Sequence, residues 1–183
     1  MSSLSKEFLS SSIRRFRYYK ELGDKTFEQL NDWDFHYQPN EESNSIAIII
    51  QHMAGNMLSR WTNFLKEDGE KEWRQRDDEF EIHEYSKDQL LKVWEKGWQC
   101  FFNTMESLTK KDLKKTVHMR KEPLTVVDAI NRQLAHYPYH VGQIIYIAKI
   151  IKNNNWKNLS IPKGGSLTYN NSTEIKDPAK KLG

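Results

Sequence analysis

TVVDAINRQLAHYPYHVGQIIYIAKIIK, residues 125–152, decides the fold of this chain. Apolar side chains recur along it at helical spacing, and Val126, Ile130 and Tyr137 share one face. Thr125 stands three residues before an aspartate, which is a typical signal for the start of a helix. The stretch therefore predicts one long amphipathic helix, whose apolar face needs partners from elsewhere in the chain.

Three segments upstream show the same period and predict those partners. They are a helix carrying Leu4, Phe8 and Phe16 that ends near Gly23, a helix from about Ser45 to Lys66, and a helix that opens with the capping box Ser86–Gln89. Residues 26–33 are expected to form a short extra helix. No segment shows a convincing strand pattern, and beyond Asn153 the chain becomes polar and loses its periodicity.

Four amphipathic helices in one chain of 183 residues predict an all-α fold, a four-helix bundle. The connection between the second and third of these helices, residues 67–86, is long for a simple hairpin, so we favour one crossover. Its many charges indicate a solvated connection, with a lid as the alternative. We expect residues 1–170 to form the bundle domain and residues 171–183 to form a polar tail.

Composition excludes several classes of protein. The net charge of +3 is too small to indicate a nucleic-acid-binding protein, and the lysines are scattered along the sequence. The longest apolar-rich stretch, residues 141–151, is too short to cross a membrane. The single cysteine, Cys100, rules out an internal disulfide and fits a reducing cytosol. We therefore expect a cytoplasmic protein that binds neither nucleic acid nor membranes.

Two histidines four residues apart, His136 and His140, lie one turn from each other on the predicted fourth helix. Two imidazoles so placed can bind one divalent metal. His52 is the candidate for a third ligand, because it falls on a corresponding flank of the second helix. The alternative is that each histidine hydrogen-bonds a backbone carbonyl or a neighbouring side chain, and the pattern alone supports both interpretations about equally. Pro138, between the pair, predicts a kink or bulge.

The strongest family signal lies in six stretches. They are NSIA (44–47), HMAGNMLSRW (52–61), FLKEDGEK (64–71), RQRDDEF (74–80), HYPYHVGQI (136–144) and LSIPKG (159–164). Together they resemble the DinB/YfiT-like superfamily of bacterial four-helix-bundle proteins, most closely an uncharacterised branch of it. The resemblance covers about residues 42–170.

This resemblance implies that His52, His136 and His140 bind one divalent metal, because those positions match the ligands of the superfamily. An arginine commonly follows the last histidine there, and here the residue is Val141. Characterised relatives include thiol-dependent transferases and isomerases that use bacillithiol, mycothiol or glutathione. The expected activity is therefore a thiol S-transferase, or a related hydrolase or isomerase, acting on a small-molecule thiol and an electrophile.

Three histidine ligands would leave the metal an open position, as catalytic sites do. The positive charge of the metal would lower the pKa of a water or thiol bound there. We expect zinc first, with nickel and manganese as alternatives. The rival function is a non-catalytic metal-binding or interaction protein, with a homodimer through exposed tryptophans as one form of it.

Four polar residues near these histidines are further candidates. Asn56 and Gln143 lie one turn from a ligand and could orient it, although ordinary polar flank residues are the alternative. Ser59 and Arg60 could meet an anionic substrate group, since arginine binds carboxylates through two hydrogen bonds. An ion pair with the acidic connection would explain Arg60 equally well.

Overall fold

The computed structural model describes residues 4–181, which form a mostly helical fold. Its α-helices are α1 (Leu4–Phe27), α2 (Asp32–Phe35), α3 (Ile46–Trp61), α4 (Lys87–Ser107), α5 (Val126–Lys152) and α6 (Ser166–Asn171). Between α4 and α5, the strands β1 (Thr116–Met119) and β2 (Glu122–Thr125) pair in antiparallel fashion. Across the described residues, no helix has both the length and the apolar character that a membrane span requires.

The sequence did not indicate the β-hairpin or α6, because it shows no convincing strand pattern and no helical period beyond Asn153. Each strand is 4 residues long and α6 is 6 residues long. Segments of this length are too short to show a recognisable period in a sequence.

The starts of α3, α4 and α5 follow from side chains that satisfy free backbone N–H groups. Ser45 and Thr125 each accept a hydrogen bond from the backbone N–H three residues later. Ser86 and Gln89 form the predicted capping box, in which each side chain accepts from the backbone of the other. These contacts confirm the predicted starts of all three helices.

The helix α1 continues past its predicted stop at Gly23 and ends at Phe27. Gly23 is buried against α4, where a Cβ atom would lie 2.6 Å from Cζ2 of Trp94. The glycine therefore permits the close approach of two helices and does not end one. The short extra helix is α2 rather than residues 26–33, because a capping box at Asn31 starts it.

The helix α3 ends at Trp61, before its predicted end near Lys66. Thr62 leaves the helical region with ψ 124°, and Asn63 has φ 52°. This turn opens the long connection to α4. The connection folds back, so that its 3₁₀ turn Asp78–Phe80 contacts α3.

The four long helices α1, α3, α4 and α5 pack around an aromatic core. The closest pairs are α3 with α4 and α1 with α5, and α3 also contacts α5. Each of these helices contributes at least one buried aromatic ring: Phe16, Trp61, Trp98, Phe101 and Tyr137. Removing such rings from water is the main favourable term in folding.

Residues after α6 return to α1. Arg15 on α1 pairs with Asp177 at 3.0 Å, and Ala179 is 1% exposed. The described part of the predicted tail, residues 171–183, thus contacts the helical body. Residues 1–3 and 182–183 of the predicted domain and tail lie outside the described residues.

Candidate metal centre

His52 on α3 comes together with His136 and His140 on α5 where these two helices meet. One ring nitrogen from each lies within 4.8 Å of those of the other two, so the three rings could hold a metal ion. His52 and His140 are 7% and 9% exposed, and His136 is half-buried. The helix α5 remains continuous through Pro138, so the pair keeps the one-turn spacing that the sequence predicts.

Each of the three rings has a side-chain oxygen within hydrogen-bond distance of Nδ1. The partners are Glu79 for His52 (3.1 Å), Gln133 for His136 (3.2 Å) and Gln143 for His140 (2.8 Å). With the amide oxygens of Gln133 and Gln143 facing the rings, as here, each Nδ1 donates its proton, and Nε2 of a neutral ring keeps a lone pair. Metal-binding histidines in proteins usually have this arrangement.

The Nε2 atoms of His136 and His140 lie 3.0 Å apart. With both Nδ1 atoms protonated, two lone pairs of the neutral rings face each other without a hydrogen between them. Protonation is disfavoured, because burial and the nearby rings of His140 and His52 lower the pKa of His136 to about 3. A shared cation would satisfy both atoms, since two nitrogens on one tetrahedral zinc lie roughly 3.3 Å apart for Zn–N distances of about 2.0–2.1 Å.

His52 is oriented by a buried ion pair from the α3–α4 connection. Besides its contact with His52, Glu79 accepts two hydrogen bonds from Arg74, at 2.7 and 2.8 Å. The side chain of Arg74 is 2% exposed and that of Glu79 is 10% exposed. Burial by itself raises the pKa of Glu79, but the hydrogen bonds from Arg74 and His52 outweigh it and hold this pKa below its ordinary value. The carboxylate is therefore ionised and fixes the tautomer of His52.

The charged connection, residues 67–86, is packed on the site in part, which corrects the expectation that it is solvated. Arg74 and Glu79 are buried, as charged groups can be when they are paired. Gly55 on α3 leaves room for this pair, because a Cβ atom there would lie 2.6 Å from Cδ of Glu79. The connection thus completes the surroundings of a histidine on another element.

Of the two residues predicted to orient the ligands, Gln143 contacts a histidine and Asn56 contacts the core. Oδ1 of Asn56 accepts from the hydroxyl of Tyr137 at 3.2 Å, and that hydroxyl accepts from Nε1 of Trp61 at 3.0 Å. Burial raises the pKa of Tyr137, so the hydroxyl stays a donor. Within residues 4–181, Asn56 has no hydrogen bond to an imidazole. It links the aromatic core to a cavity beside the histidines.

This cavity, of about 260 Å³, opens next to the cluster. His52, His136, Asn56 and Gln133 lie in its wall together with five arginine side chains. The volume is close to the lower end of the range of about 300–1,000 Å³ that small-molecule sites occupy. A ligand in this cavity would meet two of the three histidine rings and a concentration of positive charge.

Ser59 and Arg60, predicted to meet an anionic substrate group, fasten the connection to α3. Both donate to the carbonyl of Gly69, at 2.6 and 2.5 Å, and Arg60 also donates to Glu70 at 3.0 Å. Burial lowers the pKa of Arg60, and the ion pair with Glu70 opposes this shift. Ser59 is 0% exposed, so a direct contact with substrate is not expected. The sequence left two roles open for Arg60, an ion pair with the acidic connection and a contact with substrate. The ion pair is present, with Glu70, and Arg60 also lies in the cavity wall.

The sequence does not predict Glu79 or Gln133 as partners of the histidines. Gln133 carries a readable signal, since it lies three residues before His136 on the same helix face. Glu79 carries none, because it belongs to an irregular connection, 27 residues from the histidine that it contacts.

Residues 3–165 match the model of a family described as "Protein of unknown function (DUF1572)". No curated protein matches the chain. The matched range includes the three histidines, Glu79 and the cavity wall, so the candidate centre lies entirely within it.

Proposed function

We propose that this chain, which belongs to the DUF1572 family, binds one divalent cation through His52, His136 and His140 and uses it in catalysis. We also propose that α1, α3, α4 and α5 form the four-helix bundle of the DinB/YfiT-like superfamily. The mutual contacts of these helices support the bundle. The resemblance of the histidine-bearing stretches supports the superfamily.

The facing Nε2 atoms of His136 and His140 carry the proposal. In a largely buried place, two acceptors 3.0 Å apart without a hydrogen between them cost free energy, because buried polar atoms need partners. Simple hydrogen bonding, the alternative that the sequence left open, requires Gln133 or Gln143 to turn its amide group, so that one of the two Nε2 atoms carries a proton and donates to the other. A cation between the rings removes this conflict.

The residues around the cluster provide the frame for a reaction. Glu79, Gln133 and Gln143 hold the three rings in one tautomer. The buried ring of Tyr137 closes the side towards the core against water, while the cavity leaves the other side accessible. When bound, a divalent cation would supply an open position at which a thiol or a water loses its proton near neutral pH.

A low-molecular-weight thiol and an electrophile are the substrates that we propose, as in a thiol S-transferase. Three neutral imidazoles bring no negative charge, so the site favours an anionic partner such as a thiolate. Val141 is 0% exposed and lies in the core, so the arginine that commonly occupies this place in the superfamily has no counterpart here. Zinc is the first choice of metal, with nickel and manganese as alternatives.

The test is the metal content of the purified protein and of the variant His140→Ala, measured by elemental analysis. We expect about one metal per chain in the unmodified protein and loss of most of it in the variant, because two imidazoles are a poor site. The matched control is His83→Ala, which removes a histidine bound to a backbone carbonyl outside the cluster. A normal metal content in His140→Ala would contradict the three-histidine site.

A non-catalytic interaction protein, such as a homodimer, is the second candidate, and the exposed indoles of Trp33 (86%) and Trp73 (56%) favour it. Calorimetric titration of the metal-loaded protein with glutathione separates the two. Thiol binding that disappears in His140→Ala supports the enzyme. A dimer in sedimentation experiments that binds no thiol supports the second candidate.

A further inference from the structure

Five arginines line the cavity beside the histidine cluster, and three of them form ion pairs with two carboxylates. Glu79 pairs with Arg74, and Glu70 accepts from Arg60 at 3.0 Å and from Arg120 at 3.1 Å. Like charges around so small a space repel one another, and the two carboxylates compensate this only in part.

Arg76 and Arg132 are the other two arginines of the wall. Arg76 belongs to the α3–α4 connection and Arg132 to α5, and both are exposed. No hydrogen bond or ion pair joins either guanidinium group to another residue between 4 and 181. Each therefore has its full set of donors available to a ligand in the cavity.

Arg120 is held over the cavity by the turn of the β-hairpin, which Asp68 stabilises. At the tip of the β-hairpin, Arg120 and Lys121 have φ 56° and 66°, a left-handed conformation that is costly for residues other than glycine. The carboxylate of Asp68 accepts hydrogen bonds from both backbone N–H groups, at 2.9 and 2.7 Å. These bonds offset the cost and fasten the hairpin to the α3–α4 connection. The five arginines of the positive wall thus come from four separate parts of the chain: α3, the α3–α4 connection, the hairpin and α5.

We propose that this cavity binds a small ligand that carries at least two negative charges on carboxylate or phosphate oxygens. Arg76 and Arg132 provide its free hydrogen-bond donors, and Arg120 completes the positive wall. The inference deepens the proposed function and rests on it for the reaction, because it makes the substrate a small anion held beside His136. Binding of the anion itself requires no metal.

Calorimetric titration of the full chain, freed of metal, tests this proposal. The probes are malonate, inorganic phosphate and the uncharged malonamide. We expect malonate or phosphate to bind and malonamide not to bind. Arg76→Gln and Arg132→Gln should each weaken binding about ten- to a hundredfold, as the loss of a charge-assisted hydrogen bond does.

Arg14→Gln is the matched control, because it removes the same charge from α1, outside the cavity wall. It should leave anion binding unchanged. An equal loss in Arg14→Gln and Arg132→Gln would show a general charge effect and overturn the proposal, as would the absence of binding by both anions. A preference for malonate over phosphate identifies a carboxylate ligand, and the reverse preference identifies a phosphate.

Zinc content measured on the same preparations separates the two proposals. Binding of zinc but of neither anion would support the metal site and contradict the proposed anionic ligand. Binding of an anion through Arg76 and Arg132, without binding of zinc, would support the anion site and contradict the metal-dependent reaction.

Discussion

Two neighbouring residues of α5, His136 and Tyr137, lie in opposite surroundings. Tyr137 is 0% exposed among aromatic rings from α1, α3 and α4, whereas His136 faces a polar cavity lined by arginines. The core side needs only side chains of suitable size and shape. The buried polar groups on the cavity side need partners, and several of these partners come from segments without regular structure. One helix therefore serves two regions that are specified in different ways.

The two regions also differ in how their buried polar atoms are hydrogen-bonded. Within residues 4–181, the one fully buried side-chain nitrogen or oxygen with no polar atom in hydrogen-bonding position is Nε1 of Trp98, in the aromatic core. Each histidine of the cluster has a partner at Nδ1. Burial of a large ring is favourable enough to tolerate one unpaired N–H. The histidine cluster has no such apolar gain, so its geometry depends on the surrounding hydrogen bonds.

The largest expected effect comes from the core. Phe101 is 0% exposed and its ring centre lies 4.5 Å from that of Phe16 and 4.8 Å from that of Trp61. Phe101→Ala should lower the free energy of unfolding by about 3–5 kcal/mol, because it removes buried area and leaves a void. Urea unfolding of the metal-free protein measures this. Tyr146→Ala, at a residue 67% exposed on α5, is the control and should stay within about 0.5 kcal/mol.

The folded fraction of Phe101→Ala should keep the metal content of the unmodified protein if core and cluster are separate regions. Loss of metal from that folded fraction would show that the comparison is wrong and that the core also positions the ligands.

A smaller effect is expected from Gly55→Ala, which tests the surroundings of His52. The new Cβ atom would displace the carboxylate of Glu79, leaving the buried Arg74 without its partner. We expect a loss of about 1–3 kcal/mol in the free energy of unfolding and a loss of roughly 10–100-fold in metal affinity.

Gly142→Ala on α5 is the matched control for that substitution, because a Cβ atom at this position would have no neighbouring atom within 4 Å. It should raise the free energy of unfolding by about 0.5–1 kcal/mol, as alanine is the better helix former. Urea unfolding of Gly55→Ala and Gly142→Ala measures the two free energies of unfolding. Equal stability of the two variants would show that the ion pair does not depend on Gly55.

The smallest expected effect is a dependence of stability on pH that arises in the histidine region. The pKa of His136 is about 3 in the folded protein and 6.5 ordinarily, so below pH 6.5 the unfolded chain binds more protons. The free energy of unfolding of the metal-free protein should therefore fall as the pH is lowered from 6.5 towards 3. The slope from this group is at most about 1.4 kcal/mol per pH unit, and it is less because solvent reaches the ring.

Urea unfolding between pH 7 and pH 5 measures this slope, because carboxylates with lowered pKa values stay ionised there. The variant His136→Gln lacks the titrating ring and should show a shallower dependence. The same slope in both proteins would rule out His136 as its source.

The long helices could be predicted from the sequence because each combines an apolar period with a start signal. Their ends were harder, since they depend on distant residues. Gly23 resembles a helix stop until Trp94 is seen against it. The predicted proximity of His52 to the α5 pair follows from helix faces, and the structure brings these residues together. The β-hairpin and the role of Glu79 could not be predicted, because neither shows a period.

The sequence alone establishes the helices and the faces on which the three histidines lie, since helical periodicity is a local property of the chain. Tertiary structure decided everything that depends on the path of irregular segments. It put the ion pair of Arg74 and Glu79 on His52, and it brought Arg120 over the cavity through the hairpin. The reason is physical: hydrogen bonds and ion pairs between distant segments depend on where those segments fold, and no local pattern encodes that position.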